Sequence, residues 1–352
     1  MIVYAIMFFL LIIGYIVFGN RKNGKKKYCV FCSIILILIS SLRKETLGFS
    51  DTVHLYIPAF KLVQNLNFSD VFYAFRDTEY VFYYFTKIFT LFSTNINLYL
   101  SILSIPVVVS ASVFIYKYSK HCLLSYLMFL SLNYFFLSFI TLRHSLALSI
   151  LIFAFMFLLK GKNKYFFIMI AVASLFHKTA LIFALAYPIS KMKPGLKNYL
   201  LIFISLFLVV FFKNQLFNWI FTFISDEHYL LYLNRNITIN LNSFFINLAL
   251  VVFYSLFRKK NDNDEKNNNI YLNMLCVGTA FSSLTIMMDV MYRISLYFTF
   301  PSIILIPNII ESMELSFNKK LFKTVITLIL ICYCFLSTLS NLDLLNYHFF
   351  WE

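Results

Sequence analysis

Residues 165–189 read YFFIMIAVASLFHKTALIFALAYPI, and their reading decides the fold. Taken whole, the stretch is long and apolar enough to cross a bilayer core, which needs about 20 such residues. His177 and Lys178 sit near its centre. A lysine at the middle of a bilayer costs roughly 3 kcal/mol on insertion scales. Either the chain avoids the membrane, or the stretch is not one span.

Composition excludes the first alternative. Hydrophobic residues make up 61% of the chain and charged residues only 13%, against about 25% charged in soluble domains. Mean hydropathy is +0.79. The 44 Phe and 24 Tyr suit lipid-facing surface and interfacial aromatic belts. Residues 1–18 lack a basic leader and a small-residue cleavage site, so they are expected to form a first spanning helix rather than a signal peptide. The expected fold is an all-α polytopic membrane protein, a single integral membrane domain over 1–352, with about 10–13 transmembrane helices. Apolar runs put spans at 2–18, 28–42, 97–116, 121–140, 145–159, 197–212, 243–257, 270–288, 294–310 and 321–340.

Basic residues in short loops orient such chains, marking the cytoplasmic side. The segments 21–27, 160–164, 191–197, 258–266 and 318–323 are all basic. Placing them in the cytoplasm with Lys117 and Lys120 puts 20 of the 30 basic residues on one side, enough to account for the formal +15, and no nucleic-acid partner is needed to explain it. Keeping both 160–164 and 191–197 inside then requires 165–189 to cross twice. The stretch becomes a hairpin of two short helices, with His177 and Lys178 at its outward tip. By the same logic 43–80 is a first periplasmic loop and 213–243 a second. The short run 81–93, which carries Lys87, becomes an interfacial or re-entrant helix. Non-helical backbone at depth is tolerated only where protein buries it or a wet cavity bathes it, so a cavity open to the outer face is expected.

Isolated charges gather on that face. Arg143 and Arg293 each stand at the end of an apolar run. Guanidinium offers paired donors that match phosphate, so both arginines, with Lys178, are candidates to hold a pyrophosphate. The competing reading is snorkelling toward lipid headgroups. His177 suits proton transfer or the cap of a turn, and His144, next to Arg143, reads as structural. Asp51 is a general-base candidate or a helix N-cap, and His54 shares that ambiguity. Asp77 and Glu79 read as a solvated loop. Asp262 and Asp264 form an Asp-x-Asp pattern in a cytoplasmic loop, without the setting a metal site needs. No phosphate-binding loop, zinc-protease or hydrolase-elbow motif occurs. Cys29 and Cys32 form a C-x-x-C within an apolar run and read as packing. The sequons at Asn67 and Asn236 carry no information by themselves.

The segment TLRHSLALSILIFAFMFLLKGKNKYFFIMIAVASLFHKTALIFALAYPI (141–189) resembles the central part of the EpsG-like polysaccharide polymerases, a family that includes many Wzy-type O-antigen polymerases. The pattern is an arginine opening one helix, here Arg143, and a His-Lys-x-Ala turn some thirty residues on, here His177 to Ala180. LRKETLGFSDTVHLYIPAF (42–60) is similar to the family's first outer loop and maps Arg43, Gly48, Asp51 and Tyr56. YRISLYF (292–298) is similar to its late arginine helix and maps Arg293 and Tyr297.

The resemblance implies helices like those of the type C membrane glycosyltransferases, and a membrane glycosyltransferase active at the periplasmic face of a bacterial inner membrane. It implies an enzyme joining oligosaccharide repeat units on undecaprenyl pyrophosphate. Donor and acceptor are both lipid-linked, membrane lipid surrounds the site, and a chain-length regulator is a further partner. No cofactor and no metal is expected. A lipid-linked glycan flippase and an O-antigen ligase are the rival readings. The absence of internal repeats and the one-sided polar set favour an enzyme over a transporter.

Overall fold

The computed structural model describes residues 2–19, 21–47, 51–76, 78–223, 241–257, 265–287, 291–313, 316–340 and 347–352. Gly48, Asp77, Asn236, Asp262 and Asp264 lie outside them. Among the described residues all extended regular structure is helical, and a single isolated antiparallel bridge pairs Arg43 with Phe349. Five helices are long and apolar enough to cross a membrane: Ile96–Tyr118, Leu142–Leu159, Leu196–Leu216, Glu265–Ile286 and Lys320–Ser337. The pair Tyr292–Thr299 and Ser302–Ser312, bent by 41°, makes a sixth if it counts as one span. Shorter apolar helices are Ile2–Phe18, Cys122–Ser131, Asn163–Phe176 and Asn242–Phe257. Along Leu196–Phe223 the side chains of Phe203, Ile204, Phe207, Val210 and Phe211 stand exposed. So continuous an apolar surface suits lipid rather than water. The protein is an all-α polytopic membrane protein.

Several expected elements are broken. The run 121–140 forms helix Cys122–Ser131, then a turn at Asn133 (φ 63°), then the short helix Tyr134–Leu137. Asparagine is among the few residues that enter left-handed backbone at modest cost. The run 294–310 bends around Pro301, which has no N–H to continue the ladder. Helix Leu196–Phe223 runs past the expected end at 212, with non-helical angles at Phe212. The stretch 213–243 therefore begins as helix, and 224–240 lie outside the described residues. Residues 43–80 are likewise far from an open loop. They hold a π-helix Thr52–Tyr56 and the helices Ile57–Asn65 and Phe68–Phe75. The run 81–93 forms the helix Tyr80–Thr90, too short to cross a bilayer.

Lys87, an apparent charge in an apolar run, is buried and employed. Its Nζ donates to the carbonyls of Val63 and Gln64, each at 3.2 Å. These belong to the last turn of Ile57–Asn65, where helix carbonyls lack partners of their own. Tyr56, Phe60, Val63, Val71, Phe82, Tyr83, Phe89 and Tyr99 form a packed core beneath these short helices. Thr52 donates its hydroxyl to Phe139 O at 2.5 Å, fixing the π-helix beside the turn that precedes Leu142–Leu159.

The chain packs as two compact units, Met1–Leu181 with Met313–Glu352, and Ile182–Ser312. In the first, Leu142–Leu159 lies between Asn163–Phe176 and Ile96–Tyr118, and Gly24–Ser41 packs on Ile96–Tyr118. In the second, Glu265–Ser282 packs on Tyr292–Thr299 and Leu196–Phe223. A buried amide pair, Asn198 Nδ2 to Asn273 Oδ1, joins the carbonyls of Ile189 and Met192 in that unit.

Candidate functional site

Helix Asn163–Phe176 ends where the charged pair begins. His177 takes extended backbone and a 3-10 helix starts at Lys178. Helix Leu142–Leu159 opens one residue before Arg143. A cation there faces the positive end of the helix dipole, an unfavourable pairing. An anion that satisfies both is supplied by Glu79, at the start of Tyr80–Thr90.

Glu79 is the hub. Its Oε2 accepts from Arg143 Nη1 at 2.6 Å. Its Oε1 accepts from the His177 ring through Nδ1 at 3.0 Å and from the Lys178 backbone N–H at 3.3 Å. The three side chains are mostly shielded, Glu79 at 12% exposure and Arg143 and His177 at 16% each. Burial by itself raises the Glu79 carboxyl. The hydrogen bond from His177, the charge of Arg143, the charge of the His177 ring whenever it is protonated, and the Lys178 N–H outweigh it and hold the group at about 2. Glu79 is therefore ionised and can only accept hydrogen bonds.

Aromatic rings close the sides. The Arg143 guanidinium lies 5.8 Å from the ring centres of both Tyr56 and Tyr83. Tyr83 stacks on Phe75 at 3.7 Å and Tyr56 packs edge-on to Phe82. The Tyr56 hydroxyl accepts the Arg143 backbone N–H at 3.4 Å. His144 is buried, with its ring edge-on to His177 at 5.8 Å.

Four sequence candidates thus meet in one place: Arg143, His177, Lys178 and Tyr56. Arg143 comes with a counter-ion, which changes the expected clamp. Glu79 cancels one of the positive charges counted toward a pyrophosphate. Lys178 keeps an exposed side chain. Asp51 stands at the N-cap position of the π-helix and His54 is exposed on it. Arg43 belongs to a different setting in the same unit. It is buried, its Nη1 donates to Ser40 O and Oγ, and its guanidinium covers Phe139 at 4.3 Å. Arg293 and the buried Tyr297 lie in the second unit. Among the described residues no group of three or more His, Cys, Asp or Glu is placed to hold a metal ion.

Glu79 was the residue that sequence reasoning passed over. The signal for it was electrostatic: basic groups at membrane depth need an anion, and a lone acid directly before an apolar helix can supply one.

The sequence model of the EpsG family matches residues 26–350, nearly the whole chain. The chain belongs to the EpsG family. Every residue of the Glu79 cluster falls within the matched region. Membership supports a polysaccharide-polymerase-like, glycosyltransferase-like function for a multi-pass membrane protein. No curated protein and no solved structure matches the chain.

Proposed function

We propose that the chain is a polymerase that joins oligosaccharide repeat units carried on undecaprenyl pyrophosphate, at the periplasmic face of the inner membrane. The observation that carries this is the cluster of Arg143, His177 and Lys178 around Glu79, at the mouth of an apolar helix in an EpsG-family chain. A growing glycan on its lipid pyrophosphate is the donor. A sugar hydroxyl of the next lipid-linked repeat is the acceptor. As the pyrophosphate leaves, negative charge develops on its bridging oxygen, and fixed cations in a shielded site stabilise such charge. Arg143 and Lys178 serve that role, and His177 serves the acceptor hydroxyl. Arg293 and Tyr297 are further candidates for the lipid-linked substrates, and Asp51 is an alternative base.

Deleting the gene and reading surface glycan on a gel tests the proposal. Loss of long chains with single repeats retained supports a polymerase. Loss of all surface glycan points instead to a ligase or a flippase and overturns it.

A further inference from the structure

The geometry points to Glu79 as the positioning residue that fixes the His177 ring with its proton on Nδ1, leaving Nε2 as the atom that takes the proton from the acceptor hydroxyl. This rests on the polymerase reading for the reaction, but not for the state of the ring.

A hydrogen bond between Glu79 Oε1 and His177 Nδ1 spans 3.0 Å. An imidazole nitrogen either donates or accepts according to tautomer. A carboxylate held by Arg143 at 2.6 Å has no proton to give. The proton of that bond therefore sits on Nδ1. In the neutral ring the lone pair is then on Nε2, which makes no hydrogen bond among the described residues. Orientation is restrained as well. The Lys178 N–H shares the same oxygen, and the buried ring of His144 stands edge-on to His177. A carboxylate behind an imidazole is a general device for setting a base. Asp51, the rival base, stands at the N-cap position of the π-helix.

The step balances without a further reagent. The acceptor hydroxyl gives its proton to Nε2 as its oxygen bonds to the donor's anomeric carbon. The bond from that carbon to the pyrophosphate oxygen breaks, and the pyrophosphate keeps the electron pair. The imidazolium that forms is stabilised by Glu79 until its proton passes to water.

Two measurements on the purified full chain in lipid nanodiscs test this. The first uses nitrogen NMR of protein labelled with ¹⁵N-histidine, the His177 signals being assigned by their loss in His177→Gln. The expected signature is a protonated Nδ1 and a bare Nε2 in the wild type, altered in Glu79→Gln. A bare Nδ1 in the wild type, or signals indifferent to Glu79→Gln, overturns the inference whatever the chain does to glycans. The second measures elongation of lipid-linked repeats. Glu79→Gln should lower kcat by roughly 10²–10⁴-fold with KM nearly unchanged. Glu79→Asp should recover part of the loss, and Glu79→Gln should add little to His177→Gln. The exposed Asp70→Asn is the silent control. Should Glu79→Gln fail to accumulate, Glu79→Asp carries both measurements, with an intermediate kcat expected. Additive losses, or an effect on KM alone, would refute positioning through His177. A wild type that elongates nothing, with the tautomer as stated, would sink the polymerase reading and leave the ring assignment standing.

Discussion

Acidification should dismantle the Glu79 cluster, and the pH at which it does so follows from the structure. The carboxyl is held at about 2 against an ordinary value of 4.5. Arg143, His177 and the Lys178 N–H face it directly, with Tyr56 and Tyr83 flanking Arg143. A carboxyl whose folded value is depressed adds stability that is fully present above the unfolded value. That stability fades as pH falls toward the folded value. The depression corresponds to about 3 kcal/mol at pH 7 and about 1 kcal/mol at pH 3. Glu79→Gln lacks this term. It should therefore be less stable than wild type by about 3 kcal/mol at neutral pH, and the gap should narrow steadily between pH 4.5 and pH 2. Thermal unfolding in a mild detergent, followed for both proteins across that range, measures the gap. A constant difference between the two would show that Glu79 does not carry a charge held by Arg143 and His177.

Other perturbations reach different parts of the molecule. Arg143→Ala should abolish long chains while the protein still reaches the membrane. Arg143→Lys should rescue poorly in the same gel assay, since an ammonium cannot reproduce the guanidinium's paired donors beside the Tyr56 and Tyr83 rings. Without its exposed Cys332, the chain should react with an impermeant maleimide from outside at cysteines replacing Lys178 or Asp70. Those at Lys162 or Lys193 should react only once the cytoplasmic side is opened, and outside labelling at Lys193 would rule out a double crossing by 165–189. Lys87→Met should cost about 1–3 kcal/mol in thermal unfolding, because two helix-end carbonyls lose their donor in a buried site. An unchanged midpoint would mean water replaces the ammonium there.

The membrane fold was legible because apolar runs of bilayer length leave few alternatives, and Ile2–Phe18 and Asn242–Phe257 follow the expected bounds closely. The places where spans break were harder. At Asn133 the backbone turns left-handed because asparagine permits it, and its side chain donates to Ser337 Oγ at 3.0 Å. Hydropathy carries neither fact. Pro301 did carry a visible signal, that of a missing donor. Arg143 and His177 stood out because charge is costly in apolar surroundings. Glu79 did not, since in a polar loop an acid is ordinary. Its role arises only when folding brings it to Arg143 and His177, 64 and 98 positions further along the chain.

The bridge between Arg43 and Phe349 sets a schedule for synthesis. Lys44 N donates to His348 O, Phe350 N to Leu42 O, and the Tyr347 hydroxyl to Ile39 O across 308 positions. At 5–20 residues per second, a ribosome needs about 15–60 s to make that intervening chain. Until then residues 39–44 have no partner from 347–350, and the Arg43 backbone lacks its bridge to Phe349. The segment that leads into the Thr52–Tyr56 π-helix is thus emplaced early and finished late. For that interval the carbonyls of Ile39 and Leu42 and the Lys44 N–H wait without the partners that the finished fold gives them.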